Sequence, residues 1–406
     1  MNIAIIGGGA AGFFAAITCA EANPACRVTI FERGKAVLEK VRISGGGRCN
    51  VTHACFDARE LVKFYPRGSR ELLGPFMQFG PEQTVEWFAR RGVTLKTESD
   101  GRMFPVSDDS QTITDCLQRA AQQAGVQIRL GARVEKLELS PSGDWQIRLT
   151  GERESPVFSK VMVATGSNPA VWELLRTLGH SIVEPVPSLF TFNTKDTRLR
   201  DLSGLSVASA SLRIPGMKLS AEGPLLVTHW GLSGPAVLRI SAWGARELHS
   251  LDYRFLLEIN FLGKVNAATA AENLQHLKNE IGKKQVAANP QFGLPLRLWQ
   301  SLVAAVKIPA ERRWADLDKK SLTDLSAQLT TAVFQISGKS TFKEEFVTAG
   351  GVLLKELNFK TFESKICPNL FLAGEVLDID AITGGFNFQA AWTGGWLAGK
   401  AMAETV

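Results

Sequence analysis

The hexapeptide Gly7-Gly8-Gly9-Ala10-Ala11-Gly12 constrains this chain more than any other stretch of it, because of what stands on either side. Before it, Asn2 to Ile6 is a short, nearly continuous apolar run, the pattern of a strand buried on both faces of a parallel sheet. After it, Ala10 to about Glu21 reads as a helix, and Arg27 to Phe31 as a second buried strand, completing a βαβ unit of about 30 residues. In such a unit Gly7 permits the tight turn, Gly9 lets a pyrophosphate approach the backbone, and Gly12 allows close helix packing. The helix start then offers unsatisfied N–H groups and a partial positive charge to phosphates. Glu32 ends the second strand, 20 residues beyond Gly12, where a carboxylate accepts ribose hydroxyls. Strand, glycines, helix, strand and acid in this order predict a dinucleotide-binding fold.

A chain of 406 residues that is 45% hydrophobic exceeds a single core, so two or three domains are expected. Helices are expected from Pro81 to about Arg91 and from about Ser110 to Ala124, each followed by a glycine. Val126–Leu130, Val134–Leu139, Trp145–Thr150 and Val157–Ala164 read as a strand returning to the parallel sheet plus a small antiparallel layer. Between about 186 and 345 the character changes. β-like segments at 187–194, 206–214, 224–228 and 253–261 precede a helix-rich stretch from Asn266 to about Phe334, with Asn266 and Ser321 as N-caps. From Phe346 the first pattern returns, with a strand at Asn369–Ala373 and a last helix from about Asn387 to Glu404.

Two segments favour FAD over NAD. Lys160 to Asn168 is an apolar strand ending in Ala164-Thr165-Gly166, and Gly374-Glu375 closes another strand far downstream. In a doubly wound sheet both ends gather at the carboxyl edge that carries the first glycine loop. Glu375 there can bond the ribityl chain or groups beside the pyrophosphate, which an NAD fold does not need.

The formal charge of +6 comes from 46 basic and 40 acidic residues without a run of five like charges. It implies mild attraction for anionic ligands. The nearest approach to a nucleic-acid stripe is Arg312-Arg313-Trp314 followed by Lys319-Lys320, so nucleic acid is not the first expectation. Six cysteines without Cys-x-x-Cys or paired histidine spacing indicate reduced thiols in a cytoplasmic protein, with no metal site. Met1 to Ala20 lacks the basic start and unbroken apolar core of a signal peptide, and no stretch reaches membrane-spanning length.

Five motifs in order carry a family resemblance: Ile43-Ser44-Gly45-Gly46-Gly47-Arg48-Cys49-Asn50-Val51-Thr52, Gly101-Arg102-Met103-Phe104-Pro105, Thr228-His229-Trp230-Gly231-Leu232-Ser233-Gly234-Pro235, Phe346 to Val352, and Ala373 to Asp378 continuing through Thr383 to Gln389. The chain resembles, over nearly its whole length, the family of NAD(P)/FAD-dependent oxidoreductases that includes aminoacetone-oxidase-like enzymes and the bile-acid-pathway flavin reductase. That resemblance implies an α/β fold with a Rossmann-like FAD-binding domain built from both termini (1–186 and 345–406), an inserted β-barrel-like domain (187–264 and 332–344) and a small helical domain (265–331). It implies FAD contacts at Ala11, Glu32, Arg33, Gly47, Arg48, Asn50, Val134, Glu375, Gly385, Asn387 and Phe388. The backbone N–H groups of Asn387 and Phe388 would face the flavin pyrimidine edge and stabilise negative charge there. Two departures stand out: the run Glu39-Lys40-Val41-Arg42 with His53 in place of an Asn, and a shortened loop after Gly166.

Arg48, Cys49 and His229 are the candidates for chemistry. Arg48 would lower the Cys49 pKa, although a packed thiol is the plainer reading. His229 would donate a proton, or is a structural histidine, and nothing in the sequence separates these. The expected activity is hydride exchange between FAD and a small organic substrate in an interdomain cleft, with NAD(P)H binding transiently as reductant. The rivals are an amine oxidase using oxygen and a flavin-dependent RNA-modifying or RNA-binding protein, the latter suggested by the sequence pI near 9.0.

Overall fold

The computed structural model describes residues 1–340 and 347–404. The chain divides into two compact units, Met1–Val186 with Val347–Val406, and Pro187–Phe346. The expected boundaries at 341–344 and 345–346 lie outside the described residues.

The first unit is built on a seven-stranded sheet in the order Leu357–Asn358, Glu363–Ser364, Leu370–Leu372, Lys160–Val163, Asn2–Ile6, Arg27–Phe31 and Gln127–Arg129. The five strands from Leu370–Leu372 onward run parallel, with Ile5 beside Met162 on one side and Ile30 on the other. The first two form an antiparallel edge. Apolar runs from both ends of the sequence pair because each is covered on both faces, so neither is stable alone. Val134–Leu139, Trp145–Leu149 and Val157–Phe158 form the small antiparallel layer. A further three-stranded sheet carries Thr52–His53, Arg102–Pro105 and Leu95–Thr97.

The N-terminal helix, Ala10–Ala22, is buried from Ala11 to Ala20 and lies against the C-terminal helix, Phe386–Ala403. Glycine makes this contact possible. A Cβ on Gly395 would sit 2.5 Å from the Ala11 carbonyl oxygen, and one on Gly399 2.6 Å from that of Ala15. Lys160, in the middle of the sheet, is buried because its ammonium donates to the carbonyls of Ala401 (3.1 Å) and Glu404 (2.8 Å) at the end of the same helix. A cation there also complements the helix dipole. His180 is likewise buried, between Glu356 (Nδ1, 3.0 Å) and Ser364 (Nε2, 3.1 Å).

In the second unit six strands close into a barrel in the order Thr191–Asn193, Gly231–Ser233, Ser220–Val227, Ser206–Arg213, Arg254–Asn260 and Ala332–Ser340. Alternate residues such as Leu212, Leu225, Leu257, Phe334 and Ile336 are buried. The helices Ala267–Glu280, Leu296–Ala305 and Lys319–Thr330 share one continuous apolar core with the barrel, which includes Trp299 and Trp314. Asn266 caps its helix by accepting the Thr269 N–H (2.9 Å). Ser321 is not a cap: Asp318 accepts the Ser321 N–H (2.7 Å), so the helix starts a turn earlier. The helical stretch also ends before Phe334, which lies in a strand.

The close approach of the two helices gives a contrast between glycines. Gly395→Val is expected to lower the thermal midpoint by roughly 3–10 °C through about 1–3 kcal/mol of overpacking. Gly74→Ala, in a helix where an added Cβ meets nothing within 4 Å, should leave the midpoint unchanged or raise it slightly. Equal effects in scanning calorimetry would refute the backbone contact.

Candidate functional site

Three strand ends and the start of the N-terminal helix meet at one edge of the first unit. Gly7 has φ +111°, and a Cβ there would lie 2.5 Å from the Ala164 carbonyl oxygen; one on Gly12 would lie 2.0 Å from that of Gly7. Around Gly9 nothing lies within 4 Å of such an atom. The first and third glycines are thus filled by the chain itself, while the second opens onto space. Gly9 caps the N-terminal helix without a side-chain bond, and no acidic residue stands in the first turn. The first helical bond runs from Phe13 N–H to Gly9 O (3.0 Å), leaving the amides of Ala10, Ala11 and Gly12 ahead of the ladder.

Glu32 is held beside this opening. Its Oε2 accepts the Gly8 N–H (2.8 Å) and its Oε1 the Gly34 N–H (2.7 Å). Each carboxylate oxygen retains a lone pair for a further donor. Arg33 is exposed next to it. Gly131 and Ala132 donate to the carbonyls of Gly34 and Glu32 (3.0 and 2.9 Å), which brings the half-buried Val134 to the start of its strand nearby. Across the opening, Glu375 Oε2 accepts from Lys40 Nζ at 2.8 Å, and a Cβ on Gly166 would come within 3.7 Å and 3.8 Å of these two atoms. Thr165 lies against Gly7, and Gly374 against Ala11. Lys40 is a contributor that charge alone did not mark in the sequence.

The second helix start is tied down from several sides. Asn50 donates from its amide to Thr52 O (3.0 Å) and accepts the Gly385 N–H (3.0 Å). Thr52 and Thr84 hydroxyls donate to Gln389 Oε1 (2.6 and 3.0 Å), Tyr65 donates to Phe386 O (2.6 Å), and Trp392 Nε1 to Val51 O (2.9 Å). The Asn387 side chain bridges the Ala381 N–H (2.9 Å) and carbonyl (3.2 Å), so only its backbone faces outward from the helix start. The preceding loop is held by the Arg67 pair with buried Asp380. Gly385, at φ +89°, caps the helix without a side chain, and again no acid occupies the first turn. Phe388 stacks on Trp392. Gly45, Gly46 and Gly47 all have positive φ, and added Cβ atoms on the latter two meet nothing within 4 Å.

The candidates for chemistry fare differently. Cys49 is fully buried, and burial pushes its thiol up to about 12 against the opposing influence of Ser44. Arg48 is not among the groups acting on it, and the thiol is packed inside, as in the plainer of the two readings of the sequence. Arg48 pairs with Glu98 (2.6 Å) and Asp108 (3.5 Å) and lies over the Phe104 ring. His229 lies exposed on a turn of the second unit. His53 is half-buried and stacks on Phe386 at 4.6 Å, and burial holds its imidazole below the ordinary range. The sequence marked it only as a departure from the family pattern. Among the described residues no helix is long and apolar enough to cross a membrane.

The model of the HI0933-like protein Rossmann domain matches residues 1–401. The 3-dehydro-bile acid delta(4,6)-reductase of Clostridium scindens is 30% identical over 99% of both chains. The ribosomal RNA dihydrouridine synthase of Escherichia coli is 28% identical over 97% of this chain and 95% of its own. Among solved structures, the 3-ketosteroid-delta4-(5alpha)-dehydrogenase of Rhodococcus jostii aligns with a TM-score of 0.54 at 14% identity, covering 99% of this chain and 96% of that one, a likeness of fold.

At pH 8 a thiol with a pKa of about 12 is thiolate in roughly one molecule in ten thousand. Alkylation with iodoacetamide should therefore reach half-buried Cys55 before Cys49, and Cys49 only after unfolding. Peptide mass spectrometry showing Cys49 labelled in the native protein as fast as Cys55 would reject its burial.

Proposed function

We infer that this chain, which belongs to the HI0933-like Rossmann family, is an FAD-dependent oxidoreductase that saturates a carbon–carbon double bond conjugated to a carbonyl. The observation that carries this reading is the opening at Gly9, at a helix start that lacks a side-chain cap and first-turn acids, with the last helix beginning in the same uncapped, acid-free way. The residues present fit FAD. The amides from Ala10 to Gly12 would hold the pyrophosphate, with Gly9 leaving room for it. Glu32 would take the adenosine ribose and Glu375 the ribityl chain, with Lys40 countering phosphate charge. The open glycines at 46 and 47 would flank the flavin. The amides of Asn387 and Phe388 would hold negative charge at its pyrimidine edge. Bound FAD supplies a hydride.

The names of the two relatives share one chemistry. A delta(4,6)-reductase acting on a 3-dehydro acid saturates double bonds conjugated to a ring ketone, and dihydrouridine is uridine saturated next to its C4 carbonyl. In uridine and at the 4,5 bond a hydride adds to the β-carbon and a proton from solvent to the α-carbon; at the 6,7 bond the hydride adds one vinyl unit further, at the δ-carbon, and the proton to the γ-carbon. NAD(P)H fits as the transient electron source, since the sequence carries a single glycine fingerprint.

A second reading, in which the double bond belongs to uridine in RNA, is favoured by the charge distribution. Residues 187–346 carry 20 Lys and Arg against 14 Asp and Glu, whereas the rest of the chain is balanced at 26 each. The whole formal excess of +6 therefore belongs to the unit that does not carry the glycine fingerprint.

Anaerobic mixing with NADH or NADPH should bleach the flavin, and adding a conjugated enone or a uridine-containing transcript should restore its colour. Failure of either nucleotide to bleach it, with reoxidation by air after reduction by amines, would replace this reading with an oxidase. Gly9→Val should yield a folded protein that retains less than about a tenth of the FAD, since its side chain fills the pyrophosphate's place.

A further inference from the structure

We propose that two paired segments of the second unit, around Lys283-Lys284 and Arg312-Arg313, form a docking surface for the phosphodiester backbone of folded RNA. This rests on the RNA reading above and names the surface it needs. In the sequence the two dipeptides are far apart, and Arg312-Arg313 alone is too slight a cluster to mark a nucleic-acid protein. The fold brings them side by side. Val286 N–H donates to Arg312 O (2.9 Å), Trp314 N–H to Lys284 O (3.0 Å) and Ala315 N–H to Gly282 O (3.0 Å), around an antiparallel bridge in which Gln285 faces Arg313. The bridge is anchored from below: Trp314 is fully buried and stacked on Trp299, whose Nε1 donates to Val286 O (2.7 Å).

All four basic side chains are exposed, and among the described residues none of them makes an ion pair. Lys307, Lys319 and Lys320 are exposed on the adjoining segments. The acids nearby in sequence are Glu280, Glu311, Asp316 and Asp318, and Asp318 is committed to the Ser321 amide. Basic groups left unpaired beside this bridge remain available to phosphates.

The neighbourhood also selects the class of polyanion. Across residues 265–331 the described residues include one large exposed apolar side chain, Leu296, so there is nothing to insert into a lipid surface. The aromatic rings of Trp299 and Trp314 are buried, so unpaired bases have no platform to stack on. What remains is backbone contact without base readout, the mode by which structured RNA is held and positioned.

The test uses the full-length protein carrying FAD and a fluorescein-labelled folded ribosomal RNA fragment, with anisotropy followed against salt concentration. Lys283→Gln, Lys284→Gln, Arg312→Gln and Arg313→Gln combined should weaken binding roughly ten- to a hundredfold near 0.1 M salt and reduce the slope of log K against log salt by about 3. Flavin absorbance and thermal midpoint should not change. Neutralising Arg27, Arg119, Arg153 and Lys360, exposed on the first unit, should have little effect. Unchanged affinity and slope in the first variant would overturn the proposed surface while leaving RNA as the substrate. No RNA binding by the wild type, alongside reduction of a small enone, would overturn both the surface and the RNA reading. Equal binding to phosphatidylserine vesicles, or displacement of RNA by polyglutamate at matched charge, would also overturn the assignment to RNA. Loss of binding in the first variant without any uridine reduction by the wild type would uphold the surface and reject the RNA substrate.

Discussion

Backbone-to-backbone contact between the first and last helices is the constraint on which the site depends. Gly395 and Gly399 let the Phe386–Ala403 helix settle onto Ala11 and Ala15 at a separation that any side chain would forbid. The two helix starts can then present their amides at one edge of one sheet. Helix N-termini are weak anion sites singly, because water screens the dipole within a turn. Here two of them are uncapped and free of first-turn acids, and the chain leaves open the surroundings of Gly9, Gly46 and Gly47. The buried bonds from Thr52, Thr84, Tyr65 and Trp392 to the last helix hold its start in place.

Around this edge, the protein uses its charged groups in two ways. Some are committed to structure: Lys160 closes a helix end, Arg67 pairs with buried Asp380, and Arg48 joins Glu98 and Asp108. Others face the opening, as Glu32, Glu375 and Lys40 do. An FAD-dependent oxidoreductase needs this division, because the cofactor performs the electron chemistry and the protein supplies geometry and fixed charge. Cys49 shows the distinction at one residue, since a thiol at the centre of the glycine-rich motif is a packing group once burial has suppressed its ionisation.

Much of this was legible in the chain itself. The βαβ unit, the role of each glycine in its turn, the acid at Glu32 and the return of the late strand at Gly374-Glu375 follow from periodicity and spacing, because those signals are local. The cap at Asp318 was missed in favour of Ser321, since both residue types suit the position and only backbone direction separates them. Lys40 and His53 gave no periodic signal. Their surroundings come from residues hundreds of positions away, Glu375 and Phe386.

The sequence alone determined that this chain would build a parallel sheet with a phosphate-ready turn, because glycines and apolar runs act over a few neighbouring residues. Tertiary structure alone decided which polar groups would be spent inside and which would remain open. It buried Cys49, paired Arg48 with Glu98, joined Lys40 to Glu375 and set Lys283-Lys284 beside Arg312-Arg313. Burial and electrostatic pairing are properties of proximity in space, and no local pattern encodes them.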